Sequence, residues 1–150
     1  MIKYRFPHGI QLKGNGKVVS LPVIPVRFYK NSKKIPLLLL IDSGAETTLL
    51  TRSDAKALGI DLKKGKEMII SGIALTRVIF GYRHKVEMEI EESKFEIPVL
   101  FADSDESPRV LGREGVFDKF FILFNEKGRQ TIFILPDTNS KKKLRSILND

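Results

Sequence analysis

Leu37-Leu38-Leu39-Leu40-Ile41-Asp42-Ser43-Gly44-Ala45 decides how the rest of the chain is read. Five consecutive aliphatic residues predict a buried strand, and that strand delivers a carboxylate into a Ser-Gly turn. A charge at the end of an apolar run is costly unless something pairs with it. Asp42 therefore calls for a reason beyond structure. Asp-Ser-Gly alone is also an ordinary turn sequence, so the segments around it have to carry the reading.

On either side, short strands follow one another at close spacing. Upstream, Ile10–Leu21 alternates apolar and polar residues around Gly14-Asn15-Gly16, the pattern of a hairpin closed by a tight Asn-Gly turn. Val23–Tyr29 and Ile35–Ile41 are the next strands, with Pro36 placed where a strand start or edge tolerates it. Downstream, Thr47-Thr48-Leu49-Leu50 resumes β character. A short helix follows, with Ser53 as its expected N-cap and Gly59 just past its end. Between Glu67 and Glu91 two strands are expected, interrupted at Gly81-Tyr82-Arg83-His84. Phe95–Phe101 is a further strand with an edge or bulge at Pro98. Glu114–Phe120 reads as one or two helical turns. Phe121–Phe124 and Thr131–Leu135 flank the hairpin loop Asn125–Gly128, and the lysine-rich tail after Pro136 carries a marginal helix behind Ser140. Many short strands with little helix predict an all-β barrel or sandwich in a single domain.

Composition narrows the chemistry. The 150 residues include no cysteine, which removes disulfides and thiolate metal sites. The two histidines, His8 and His84, have no partner at ligand spacing. No apolar run approaches the roughly 20 residues of a membrane span, and the first residues lack a signal-peptide core, so the expected address is cytoplasmic. A net charge of +8 could attract nucleic acid, but the lysines are scattered and no recognition motif accompanies them. A basic nucleic-acid-binding barrel is thus the weakest of the functional classes, and no nucleic-acid partner is expected. The aromatic cluster of Phe117, Phe120, Phe121 and Phe124 predicts core or dimer contact rather than a base-stacking platform.

Three stretches, in order, resemble the retroviral-type (retropepsin-like) aspartic proteases, in their bacterial and archaeal form. Leu40–Ala45 is similar to the family's active-site turn, with Ser where Thr is usual. Met68–Leu75 resembles the flap that closes over substrate, with Ala74 and Leu75 departing from its usual glycines. Val110-Leu111-Gly112-Arg113 resembles the element before the family's late helix. The likeness spans about residues 20–135, leaving the hairpin of residues 1–19 and the tail of 137–150 outside it.

That resemblance implies a retropepsin-like closed β-barrel with one or two short helices and a single-lobe subunit. It implies Asp42 as the catalytic acid, supported by Ser43, Gly44 and Ala45. Ser43 would hydrogen-bond across the turn, and Gly44 would let the backbone approach the carboxylate. Ser71, Gly72, Ile73 and Ala74 would form the flap, and a Glu46–Arg113 pair would brace the site. No metal or cofactor is implied. Asp-Ser/Thr-Gly occurs once in the chain, so two catalytic carboxyls require two chains, and the implied partner is a second copy. The implied activity is peptide hydrolysis by an Asp dyad. The alternative is a non-catalytic dimeric module that binds peptides or partners on the same fold.

Overall fold

A computed structural model describes residues 1–70 and 78–149. The strands are β1 (Lys3–Pro7), β2 (Gly9–Leu12), β3 (Val18–Leu21), β4 (Val23–Lys30), β5 (Lys33–Ile41), β6 (Thr48–Leu50), β7 (Lys66–Ile70), β8 (Ile79–Ile90), β9 (Ser93–Ala102), β10 (Val110–Leu111), β11 (Phe121–Asn125) and β12 (Gln130–Ile134). The helices are α1 (Arg52–Ala57) and α2 (Thr138–Leu148).

Strand order β4-β5-β10-β6-β9-β8, with β4 also pairing to β8, closes a barrel of six strands. The expected closed all-β barrel with short helices is what forms. β7 extends the sheet beyond β8, β1-β12-β11 form a separate antiparallel sheet, and β2–β3 stand apart as a hairpin. In β5 the pleat sends Leu39 and Ile41 into the core while Leu38 stays exposed. The core they enter holds Ile24, Val26, Phe28, Leu50, Met88, Ile97, Phe101 and Leu111.

Several local expectations give way to different solutions. The Gly14-Asn15-Gly16 segment is a five-residue loop rather than a two-residue turn, because Leu12 pairs with Val18 and only Gly16 takes a positive φ. β8 runs unbroken through Gly81-Tyr82-Arg83-His84. Gly81 is there for clearance: a Cβ would lie 2.8 Å from Ile70 and 2.9 Å from Leu100 on the neighbouring strands. Pro98 lies inside β9, one residue before pairing with β6 begins at Val99, so its missing N–H interrupts no ladder on that side. Helix α1 is capped by Thr51, not Ser53, in a reciprocal capping box with Asp54. Helix α2 is capped by Asp137, and Ser140 is instead buried, its hydroxyl donating to the Leu135 carbonyl. Within Glu114–Phe120, residues 114–119 form turns rather than a helix.

The first residues hold a strand that the sequence pattern did not reveal. β1 pairs along its whole length with β12, so the two ends of the chain meet in one sheet. Phe6 packs edge-on against Phe133, and Phe120 lies 5.3 Å from the same ring, fastening this sheet to the barrel core.

Candidate active site

Asp42 is the first residue beyond β5, and its surroundings are built from backbone. β10 is only two residues long, yet it lies parallel to β5 and antiparallel to β6, bridging the strands that enter and leave the Asp42 turn. Asp42 N–H donates to the Leu111 carbonyl at 3.0 Å. Leu40 N–H donates to the Arg109 carbonyl, and Ala45 N–H closes the turn onto the Asp42 carbonyl.

The carboxylate itself is held from one side. Gly44 N–H donates to Asp42 Oδ1 at 2.9 Å, and a Cβ at Gly44 would stand 3.2 Å from that oxygen. Oδ2 accepts no hydrogen bond from any described residue, and Asp42 is half-buried with Ser43 and Gly44 exposed beside it. One oxygen is fixed and the other has no donor among the described residues.

Beneath the turn, Gly112 N–H donates to the hydroxyl of Thr48, which is fully buried. This inward hydroxyl ties the residue after β10 to β6, while the Ser43 side chain forms no hydrogen bond among the described residues. Thr48 was readable in the sequence only as a strand residue, because its partner is a backbone group 64 positions away.

Glu46 and Arg113 also divide their expected role differently. Their side chains form no ion pair with each other. Their stretches are joined through main chain instead, Arg113 N–H to the Ala45 carbonyl at 3.0 Å and Glu114 N–H to the Glu46 carbonyl at 2.8 Å. The charge pair at this place is Arg83–Glu114, with the Thr47 hydroxyl donating to the same carboxylate. The hydrogen bond from Arg83 holds the Glu114 carboxyl below the usual range, and Glu114, with a smaller contribution from Glu46, raises Arg83.

A second pair anchors the loop that leads into β10. Asp54, on α1 and only 5% exposed, receives two hydrogen bonds from Arg109, at 2.8 and 3.0 Å, besides those from Thr51. Burial pushes the Asp54 carboxyl up, but the Arg109 and Thr51 hydrogen bonds outweigh it and hold the group below its ordinary value. A depressed carboxyl stabilises the fold above its unfolded pKa, and that contribution disappears as pH falls through the lower folded value. Asp54→Asn is therefore expected to cost about 1–2 kcal/mol at pH 7, since a cap and a charge-assisted pair weaken together. In urea titrations the gap from wild type should close below about pH 4; a gap constant down to pH 2 would contradict the assignment.

Among the described residues no group of His, Asp and Glu side chains converges as a metal site. The expected flap residues Ser71, Gly72, Ile73 and Ala74 lie outside the described residues.

Residues 24–114 match the family model described as aspartyl protease, an interval that includes the Asp42 turn, α1 and β10. The chain belongs to the aspartyl protease family. A retropepsin-like aspartic protease from Rickettsia conorii shares the fold, with a TM-score of 0.60 and 20% identity over 87% of this chain and 89% of that one. EIAV protease, in a complex with the inhibitor HBY-793, is 24% identical over 65% of this chain and 86% of its own, with a TM-score of 0.48. No curated protein matches the chain. The Rickettsia comparison is a likeness of fold, and it agrees with the retropepsin-like barrel expected from the three motifs.

Proposed function

We propose that this aspartyl protease family member is an endopeptidase that works as a homodimer, with one Asp42 from each subunit forming the catalytic dyad. The observation that carries this reading is the state of Asp42: Oδ1 is fixed by Gly44, while Oδ2 has no donor among the described residues. Two carboxyl groups in contact cannot both ionise readily, so they share a proton, aspartic proteases being the standard example. One carboxylate then takes a proton from water as its oxygen attacks the peptide carbonyl carbon. The other carboxyl protonates the carbonyl oxygen, and breakdown of the tetrahedral intermediate passes a proton to the departing amine. Substrate would lie as an extended strand beneath the flap residues Ser71–Ala74.

Support for a second copy comes from β11. It is the outer strand of its sheet, with Phe121, Leu123 and Phe124 exposed by 37, 52 and 39%. Unpaired edge strands with apolar side chains invite pairing with another chain. Antiparallel pairing of β11 with its own copy is two-fold symmetric about Leu123, the middle of its five residues.

The test is activity against concentration. Cleavage of a peptide pool should rise faster than linearly with protein until dimer saturates, tracking the mass measured by sedimentation. Leu123→Lys should shift both curves to at least about tenfold higher concentration. A chain that cleaves while strictly monomeric would overturn the shared dyad. A dimer that binds the pool without cleaving it would favour the binding-module alternative.

A further inference from the structure

The Asp42 turn is tied to more than its neighbouring strands. Arg83 lies on β8, the strand that follows the 71–78 connection, opposite Lys66 on β7. Its guanidinium forks onto Glu114, with Nη1 2.9 Å from Oε2 and Nη2 bonded to Oε1. Thr47 Oγ1 donates to the same Oε2 at 3.0 Å, while Glu114 N–H holds the Glu46 carbonyl. Glu114 thus grips the last two residues of the turn by main chain and side chain, and Arg83 fixes Glu114 from the base of the β7–β8 hairpin.

Burial separates a stabilising role from a positioning one. The Arg83 and Glu114 side chains remain 32% and 36% exposed, and ion pairs with that access to water contribute little to folding. A planar two-bond fork does, however, set direction as well as distance. We propose that Arg83 and Glu114 are positioning residues: they couple the base of the β7–β8 hairpin to the Asp42 turn and hold the turn in its reactive geometry. This rests on the protease reading for its catalytic consequence, but the bracing itself does not.

Two variants of the full chain test it, together with one restored pair. Arg83→Lys keeps the charge and removes the fork; Glu114→Gln keeps the shape and removes the charge. Each should lower kcat by about tenfold or more, since small displacements of reacting groups are costly. KM should stay within about twofold, and Tm should fall by no more than about 3 °C. The reversed pair, Arg83→Glu with Glu114→Arg, should recover part of kcat. Hydrogen exchange at the Gly44, Ala45, Arg113 and Glu114 amides should quicken in both single variants, whether or not the protein cleaves peptides. If wild type is inactive yet those amides respond, the protease reading fails and the bracing stands. Unchanged exchange overturns the proposal. So does faster exchange with unchanged kcat in an active enzyme, or a kcat loss accompanied by a Tm fall of about 10 °C, which would mark a merely structural pair.

Discussion

Asp42→Asn should reduce peptide cleavage by about four orders of magnitude, the upper range for losing acid–base catalysis. In a homodimer one substitution removes both members of the dyad, so no half-active site remains. Asn is nearly isosteric and keeps an oxygen where Asp42 Oδ1 accepts from Gly44 N–H, so the turn should survive. The protein should therefore stay folded and dimeric by circular dichroism and sedimentation while losing turnover. Covalently linked dimers sharpen the result: a single Asp42→Asn in one half should be nearly as damaging as two, because a dyad with one carboxyl cannot act as base and acid together. Full activity in the singly substituted dimer would mean that each subunit works alone. Wild-type turnover in the doubly substituted one would remove Asp42 from the chemistry altogether.

Gly112→Ala should be the most damaging substitution away from the carboxylate. An added Cβ would stand 2.4 Å from the Thr47 carbonyl carbon, 2.6 Å from its oxygen and 2.7 Å from the Thr48 nitrogen. All three are main-chain atoms, so no side chain can swing aside. Relief requires β10 to move away from the start of β6, which also stretches the 3.1 Å hydrogen bond from Gly112 to the buried Thr48 hydroxyl. Overpacking of this kind with a weakened buried hydrogen bond costs about 3 kcal/mol, which for a domain of this size lowers Tm by about 10 °C. Because the preceding residue supplies the carbonyl that receives Asp42 N–H, catalysis should suffer beyond the loss of folded protein. Gly14→Ala is the control, since nothing lies within 4 Å of its Cβ position. Equal melting temperatures for the two variants would show that β10 and β6 are not held as tightly as their spacing requires.

Some of this was legible from local chemistry. The aliphatic run into Asp42, the glycine that lets main chain reach a carboxylate, and the alternation in Val86, Met88 and Ile90 depend on neighbours within a few residues. So did the all-β class, barrel or sandwich, because short strands punctuated by turns leave few ways to bury a core. Thr51 and Ser53 are both good N-cap residue types two positions apart, so sequence alone does not choose between them. Only the three-dimensional packing decides which oxygen is aimed correctly. β1 is not visible in the local pattern because the strand it pairs with, β12, lies at the other end of the chain.

The sequence by itself determined that an acid sits at the end of a buried strand, on a glycine turn, once per chain. What holds that acid was decided by the tertiary structure. Glu46 and Arg113 have opposite charges, and sequence cannot show that their side chains form no ion pair while their stretches are joined by main-chain hydrogen bonds. Nor can it show that Arg83, on another strand, reaches Glu114 or that Thr48 turns its hydroxyl inward to Gly112. The physical reason is the pleat of the closed barrel. It assigns each side chain to one face and brings positions distant in sequence within hydrogen-bonding reach, so the turn's supports are set by register rather than by spacing along the chain.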